Sequence, residues 1–233
     1  LFNVGEGCDE GDLGGFLQTF AVDAAMGPLV GLTRVPDTFP SGNTRWLVGD
    51  PTRDRVVALG ADGDLLGGFA SLPGAGISDV QIAPDGVVYV VSNTSARIDR
   101  FLVTTGQSLG AFPLGGGLVA PQAVASSGNF IYIASAGDAP IQRIGATTGA
   151  LIGAFGEARG ERDLAFDASG DLFTIRGATV HRWSATGADL GVFADASTEV
   201  GNAGQLDALA FADDGTLYAL GESGGLAVLV RYA

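Results

Sequence analysis

Residues 79–112 carry the pattern that decides the fold. Asp79-Val80-Gln81-Ile82 is a short apolar run, Pro84-Asp85-Gly86 has hairpin-turn chemistry, and Val87-Val88-Tyr89-Val90-Val91 is β-branched and aromatic. After a polar loop comes Arg97-Ile98-Asp99-Arg100-Phe101, then the turn Thr104-Thr105-Gly106-Gln107, then Leu109-Gly110-Ala111-Phe112. This is four strands joined by short turns, with none of the 3.6-residue periodicity of a helix.

The closing tag recurs as Leu13-Gly14-Gly15-Phe16, Leu66-Gly67-Gly68-Phe69, Leu109-Gly110-Ala111-Phe112, Ile152-Gly153-Ala154-Phe155 and Leu190-Gly191-Val192-Phe193. A spacing of about 40–45 residues is that of a four-stranded propeller blade. The other periods repeat the order. Phe130-Ile131-Tyr132-Ile133 leads to Ile141-Gln142-Arg143-Ile144, and Leu172-Phe173-Thr174-Ile175 leads to Val180-His181-Arg182-Trp183. The last pairs Leu217-Tyr218-Ala219-Leu220 with Val228-Leu229-Val230-Arg231-Tyr232. Trp46-Leu47-Val48 opens a looser first blade, with Trp46, Tyr89, Tyr132, Phe173 and Tyr218 read as aromatics stacking blade on blade.

The expected fold is therefore all-β, a single propeller domain over 1–233 with its blade repeats in 28–233. The chain ends on a third-type strand, and residues 1–20 hold a tag without the strands that should precede it. Five blades closed by this N-terminal strand follow; six blades, one incomplete, are the alternative, because Leu1-Phe2-Asn3-Val4 also reads as a strand.

On Gly86 through Phe112, and again from Val48-Gly49-Asp50 to Phe69, the pattern resembles the NHL repeat family: Asp-Gly, apolar, Tyr-Val, a polar loop, Arg-Ile or Arg-Val, a second aromatic, a Gly turn, Leu and Phe. The resemblance implies the propeller architecture and leaves activity open, since such propellers host unrelated functions.

Composition bounds the partners. The chain has 233 residues, 12 Lys plus Arg (all Arg) against 26 Asp plus Glu, and a formal net charge of −14. Such a surface repels phosphate backbones and anionic headgroups, so nucleic acid and membrane insertion are not expected. A solvated exterior, a basic partner or divalent cations suit it. Cys8 is alone and cannot form an internal disulfide, and without Lys or an initiator Met the chain reads as a secreted or cell-surface bacterial protein.

Chemistry is sparse. Inner strands of a propeller converge on a central channel, where Asp79 and Asp163 take equivalent positions and Asp207 lies one step away. Carboxylates converging there are a calcium candidate; capping of loop backbone is the alternative. Asp9-Glu10-Gly11-Asp12 lacks calcium-loop spacing. His181 is the single histidine and no glutamate leads an inner strand, against zinc lyases and gluconolactonase-type sites respectively. These absences lead to the expectation of no enzyme and no cofactor: a protein-interaction or self-assembly module. The alternatives are a carbohydrate- or ligand-binding, lectin-like propeller and a metal-dependent hydrolase or lyase using the channel aspartates.

Overall fold

The computed structural model describes residues 29–40, 42–61, 63–113, 120–136, 139–159, 162–200, 204–212, 214–223 and 226–232. The N-terminal segment, with its tag, Cys8 and Asp9–Asp12, lies outside them, as does the expectation that it closes the ring.

The described residues form five consecutive antiparallel sheets. Blade one is β1 (Val30–Arg34), β2 (Trp46–Asp50), β3 (Arg55–Leu59) and β4 (Leu65–Ser71). Blade two is β5 (Ile77–Ile82), β6 (Val87–Ser92), β7 (Arg97–Leu102) and β8 (Ser108–Pro113). Blade three is β9 (Pro121–Ser127), β10 (Phe130–Ser135), β11 (Pro140–Gly145) and β12 (Leu151–Arg159). Blade four is β13 (Leu164–Phe166), β14 (Leu172–Arg176), β15 (Thr179–Trp183) and β16 (Asp189–Asp195). After a single helical turn, α1 (Ser197–Val200), come β17 (Gln205–Phe211), β18 (Leu217–Ser223) and β19 (Leu226–Tyr232) of blade five. The protein is a five-bladed β-propeller; the six-bladed alternative is set aside.

Apolar wedges join the blades in chain order. Leu47 and Val56 meet Ile77, Val80 and Val88 between blades one and two. Tyr89 and Ile98 meet Val124 and Ile131 between two and three. Tyr132 meets Leu164 and Leu172, and Phe173 meets Leu206 and Leu209, at the next two seams. Tyr132 is also edge-on to Phe155 at 4.9 Å and Phe166 at 4.7 Å, contacts that add about 0.5–1.5 kcal/mol each beyond area burial.

Register corrects one reading. Tyr89, Tyr132, Phe173 and Tyr218 stand opposite Arg100, Arg143, Arg182 and Arg231, whereas in blade one the corresponding pair is Leu47 and Ala58. Trp46 is one residue out of phase and faces the other side of its sheet, beside Val48, Val57 and Leu59. A one-residue slip exchanges the faces of a strand.

The tag has a backbone meaning. Its first residue, Leu66, Leu109, Ile152 or Leu190, lies in a register break of the outer strand, and the following glycine has positive φ in every case. This β-bulge turns the aliphatic outward, leaving those side chains 47, 36, 50 and 53 % exposed. Behind it the third-strand arginine packs on a ring: Arg100 lies 3.7 Å from the centre of Phe112 and donates to the Leu109 carbonyl at 2.8 Å. The tag phenylalanines also press on the next blade's turn glycine. A Cβ on Gly149, which has φ +67°, would overlap the Phe112 ring, and one on Gly106 would sit 3.0 Å from the Phe69 carbonyl oxygen.

Candidate functional site

The inner strands position the channel residues, and β1, β5, β9 and β17 among them are bulged too. Ser78, Gln122 and Asp207 are the extra residues at register breaks in β5, β9 and β17. Each immediately precedes the channel position, occupied by Asp79, Ala123 and Ala208, and Arg162 precedes Asp163 in the same way. Blade one puts its extra residue, Gly31, one step further along, and Val30 takes the channel position. Bulges re-aim side chains and are common beside active sites.

Just past the channel position, Val80, Val124, Leu164 and Leu209 share one register, and all four are buried. Their backbone N–H groups need acceptors, and two carboxylates supply all four. Val80 N–H donates to Asp79 Oδ1 at 2.7 Å, and Val124 N–H, one blade on, donates to Asp79 Oδ2 at 2.8 Å. Leu164 N–H donates to Asp163 Oδ1 at 2.8 Å, and Leu209 N–H, again one blade on, donates to Asp163 Oδ2 at 2.7 Å. Each carboxylate thus fastens two neighbouring blades at the channel, two to three and four to five.

The N–H donors favour the ionised form, but burial outweighs them. Desolvation raises Asp79 from 3.8 to about 6. Desolvation, reinforced by repulsion from Asp79, pushes Asp163 up to about 8. The two groups titrate as a pair, and at neutral pH the pair retains a proton.

Of the three carboxylates expected at this level, the structure brings two together. Asp207 is drawn off by its bulge into an ion pair with Arg162, Nη1 to Oδ1 at 2.9 Å, with both side chains about 40 % exposed. Among the described residues, no group of three or more His, Cys, Asp or Glu side chains is placed to hold a metal ion. Capping of backbone and enclosure of a carboxylate pair therefore coexist at one level. Sequence reading passed over Ser78, because a bulge leaves no mark in a residue pattern, and Arg162, whose partner Asp207 lies on the next blade. Ser78 Oγ donates to the Pro121 carbonyl at 2.9 Å, fastening blades two and three. His181 sits on the third strand of its blade, stacked on Trp183 at 6.1 Å. Among the described residues, no helix is long and apolar enough to cross a membrane.

No family model and no curated protein matches the chain, so the NHL resemblance stays at the level of the propeller. Solved structures do match. Virginiamycin B lyase from Staphylococcus aureus is 14 % identical, with a TM-score of 0.59 over 88 % of this chain and 69 % of that one. A streptogramin B lyase is 14 % identical, with a TM-score of 0.63 over 91 % of this chain and 71 % of that one. The WD40 propeller domain of Doa1 is 14 % identical, with a TM-score of 0.59 over 80 % of this chain and 60 % of that one. At such identities the shared property is the fold. The expectation of no enzyme is nevertheless corrected: two of these propellers are lyases, so the architecture carries catalysis and a missing motif does not argue against it. What the comparisons share with this chain is the β-propeller.

Proposed function

We propose that the channel mouth is an active site of the hydrolase or lyase kind, with Asp79 and Asp163 as its acid–base pair. The observation that carries this reading is the enclosure of two carboxylates at one level of the channel, each held by N–H groups from two blades. Paired groups whose environments push their pKa values apart divide into an acid and a base. Near neutrality the pair holds one proton, favoured on Asp163, the carboxyl that burial and its neighbour raise further, and Asp163 gives it to the leaving group. Asp79, at about 6, is ionised and takes one from a water molecule or from the substrate. One proton is gained and one lost per turnover, and exchange between the two carboxyls restores the starting state.

The test is turnover of small esters, lactones and elimination substrates across pH. A bell with limbs near 6 and 8 is expected, with Asp163→Asn and Asp79→Asn each losing about 10²–10⁴-fold. An infrared band of a protonated carboxyl at pH 7 that disappears in Asp163→Asn checks the assignment without a substrate. An unchanged rate and an unchanged band in that variant would overturn it. Calcium titration by calorimetry separates the metal-dependent form: heat lost in both variants would assign the pair to a cation.

A second reading is favoured by the repeated outward aliphatics of the outer strands: a rim that binds a protein partner or a second copy, in an extracellular setting. Sedimentation of a Leu66→Ser, Leu109→Ser, Ile152→Ser variant tests it; association equal to wild type removes the rim as the contact.

A further inference from the structure

Arg162 and Asp207 flank the channel from neighbouring blades, each one residue ahead of the channel position. Their contact is a single N–H to a single oxygen, 2.9 Å long, between side chains exposed by 41 and 42 %. Among the described residues this is the hydrogen bond Arg162 makes. A guanidinium carries five N–H donors in a planar fork that matches a carboxylate at two points, so this partner uses a small part of what Arg162 offers. An exposed pair of this kind is held weakly against water and is easily exchanged.

The adjacent carboxyl does not claim the arginine. Both oxygens of Asp163 are turned to backbone N–H groups of blades four and five, and the group is pushed towards its neutral form. In a chain of net charge −14, a half-open cation beside the channel is where an anionic small molecule would be held.

We propose that Arg162 anchors a carboxylate on the substrate, and that Asp207 is the group it releases when that substrate arrives. The substrate class is then a small molecule carrying a carboxylate. This rests on the channel mouth being the active site, and it makes Asp207 a competitor that tunes affinity.

The experiment titrates succinate, and succinamide as its neutral counterpart, into the whole chain while following the Arg162 Nε–H signal by NMR. Succinate should move that signal and succinamide should not. Arg162→Gln should weaken succinate binding at least tenfold, with Arg162→Lys recovering part of the loss, since lysine supplies charge without the fork. Asp207→Asn, which removes the competitor, should tighten binding by up to about fivefold. Melting temperatures equal to wild type will show that each variant is folded. A signal that ignores succinate, or an Asp207→Asn variant that binds no tighter, overturns the proposal. Because binding is read without turnover, its failure is distinct from failure of the acid–base assignment.

Discussion

The outer and inner strands use the same backbone device for opposite ends. On the outer strands each bulge turns an aliphatic to solvent, and its occupants barely vary: Leu66, Leu109, Ile152 and Leu190. On the inner strands the bulges carry Ser78, Gln122 and Asp207, and the channel positions of blades two to five, Asp79, Ala123, Asp163 and Ala208, alternate between aspartate and alanine. Where the repeat is faithful it serves the blade, blunting an edge and seating a phenylalanine. Where it is broken, individual side chains have been given separate tasks. In a repeat protein, function is to be sought at the positions that fail to repeat.

Substitutions in the two regions can break or sharpen this contrast. The largest effect is expected from Phe112→Ala, which empties the space between Arg100 and the Gly149 turn; stability should fall by about 3–5 kcal/mol in denaturant unfolding. A loss below 1 kcal/mol would show that the tag is not a latch between blades. Gly149→Ala comes next: positive φ costs a residue with a Cβ about 1–2 kcal/mol, and overlap with the Phe112 ring adds about 1–3 kcal/mol. Combined with Phe112→Ala, the overlap has no target, so the double variant should lose less than the sum.

In the inner region the expected effect is one of pH. The folded chain holds Asp79 and Asp163 above their unfolded value of 3.8, so it binds more protons than the unfolded chain between about pH 4 and pH 8. Stability from this pair is fully present below pH 3.8 and is lost as pH rises through 6 and then 8. Asp163→Asn should flatten that slope while costing about 1–3 kcal/mol at pH 5 for a backbone N–H left without its acceptor. A melting temperature that rises between pH 5 and 8 in the wild type, with the variant parallel to it, would contradict the raised values. The smallest effect belongs to Leu109→Ser, whose side chain already faces water: within about 0.5 kcal/mol of wild type by thermal melting.

Much of the architecture is legible in the sequence because blade spacing is set by turns and alternation, and both are written in residue type. Asp85-Gly86 and Thr105-Gly106 mark their hairpins, and Val87–Val91 marks its strand, close to where the structure has them. Trp46 misled because alternation in a short run is ambiguous by one residue until cross-strand partners fix the register. Asp79 and Asp163 were legible as a level of the channel, since they fall at the same distance from their turn glycines. Their roles were not. Which N–H each oxygen meets depends on the neighbouring blade, whose residues lie 45 and 46 positions further along the chain. The pairing of Arg162 with Asp207 was hidden for the same reason, and a bulge displaces Asp207, itself legible as a channel candidate, from the step where a cation ligand would be needed.

The two carboxylate clamps also carry a consequence of parity. Each serves two adjacent blades, so two of them account for four, and a ring of five cannot be divided into pairs. Blade one is the remainder, and there the chain has Val30 at the channel position and inserts Gly31, whose backbone lies against Asp79. The near-fivefold frame therefore encloses a channel with a front and a back. On the reading proposed for the channel mouth, a small ligand would meet acid on one side and hydrocarbon on the other, and so be held in one orientation.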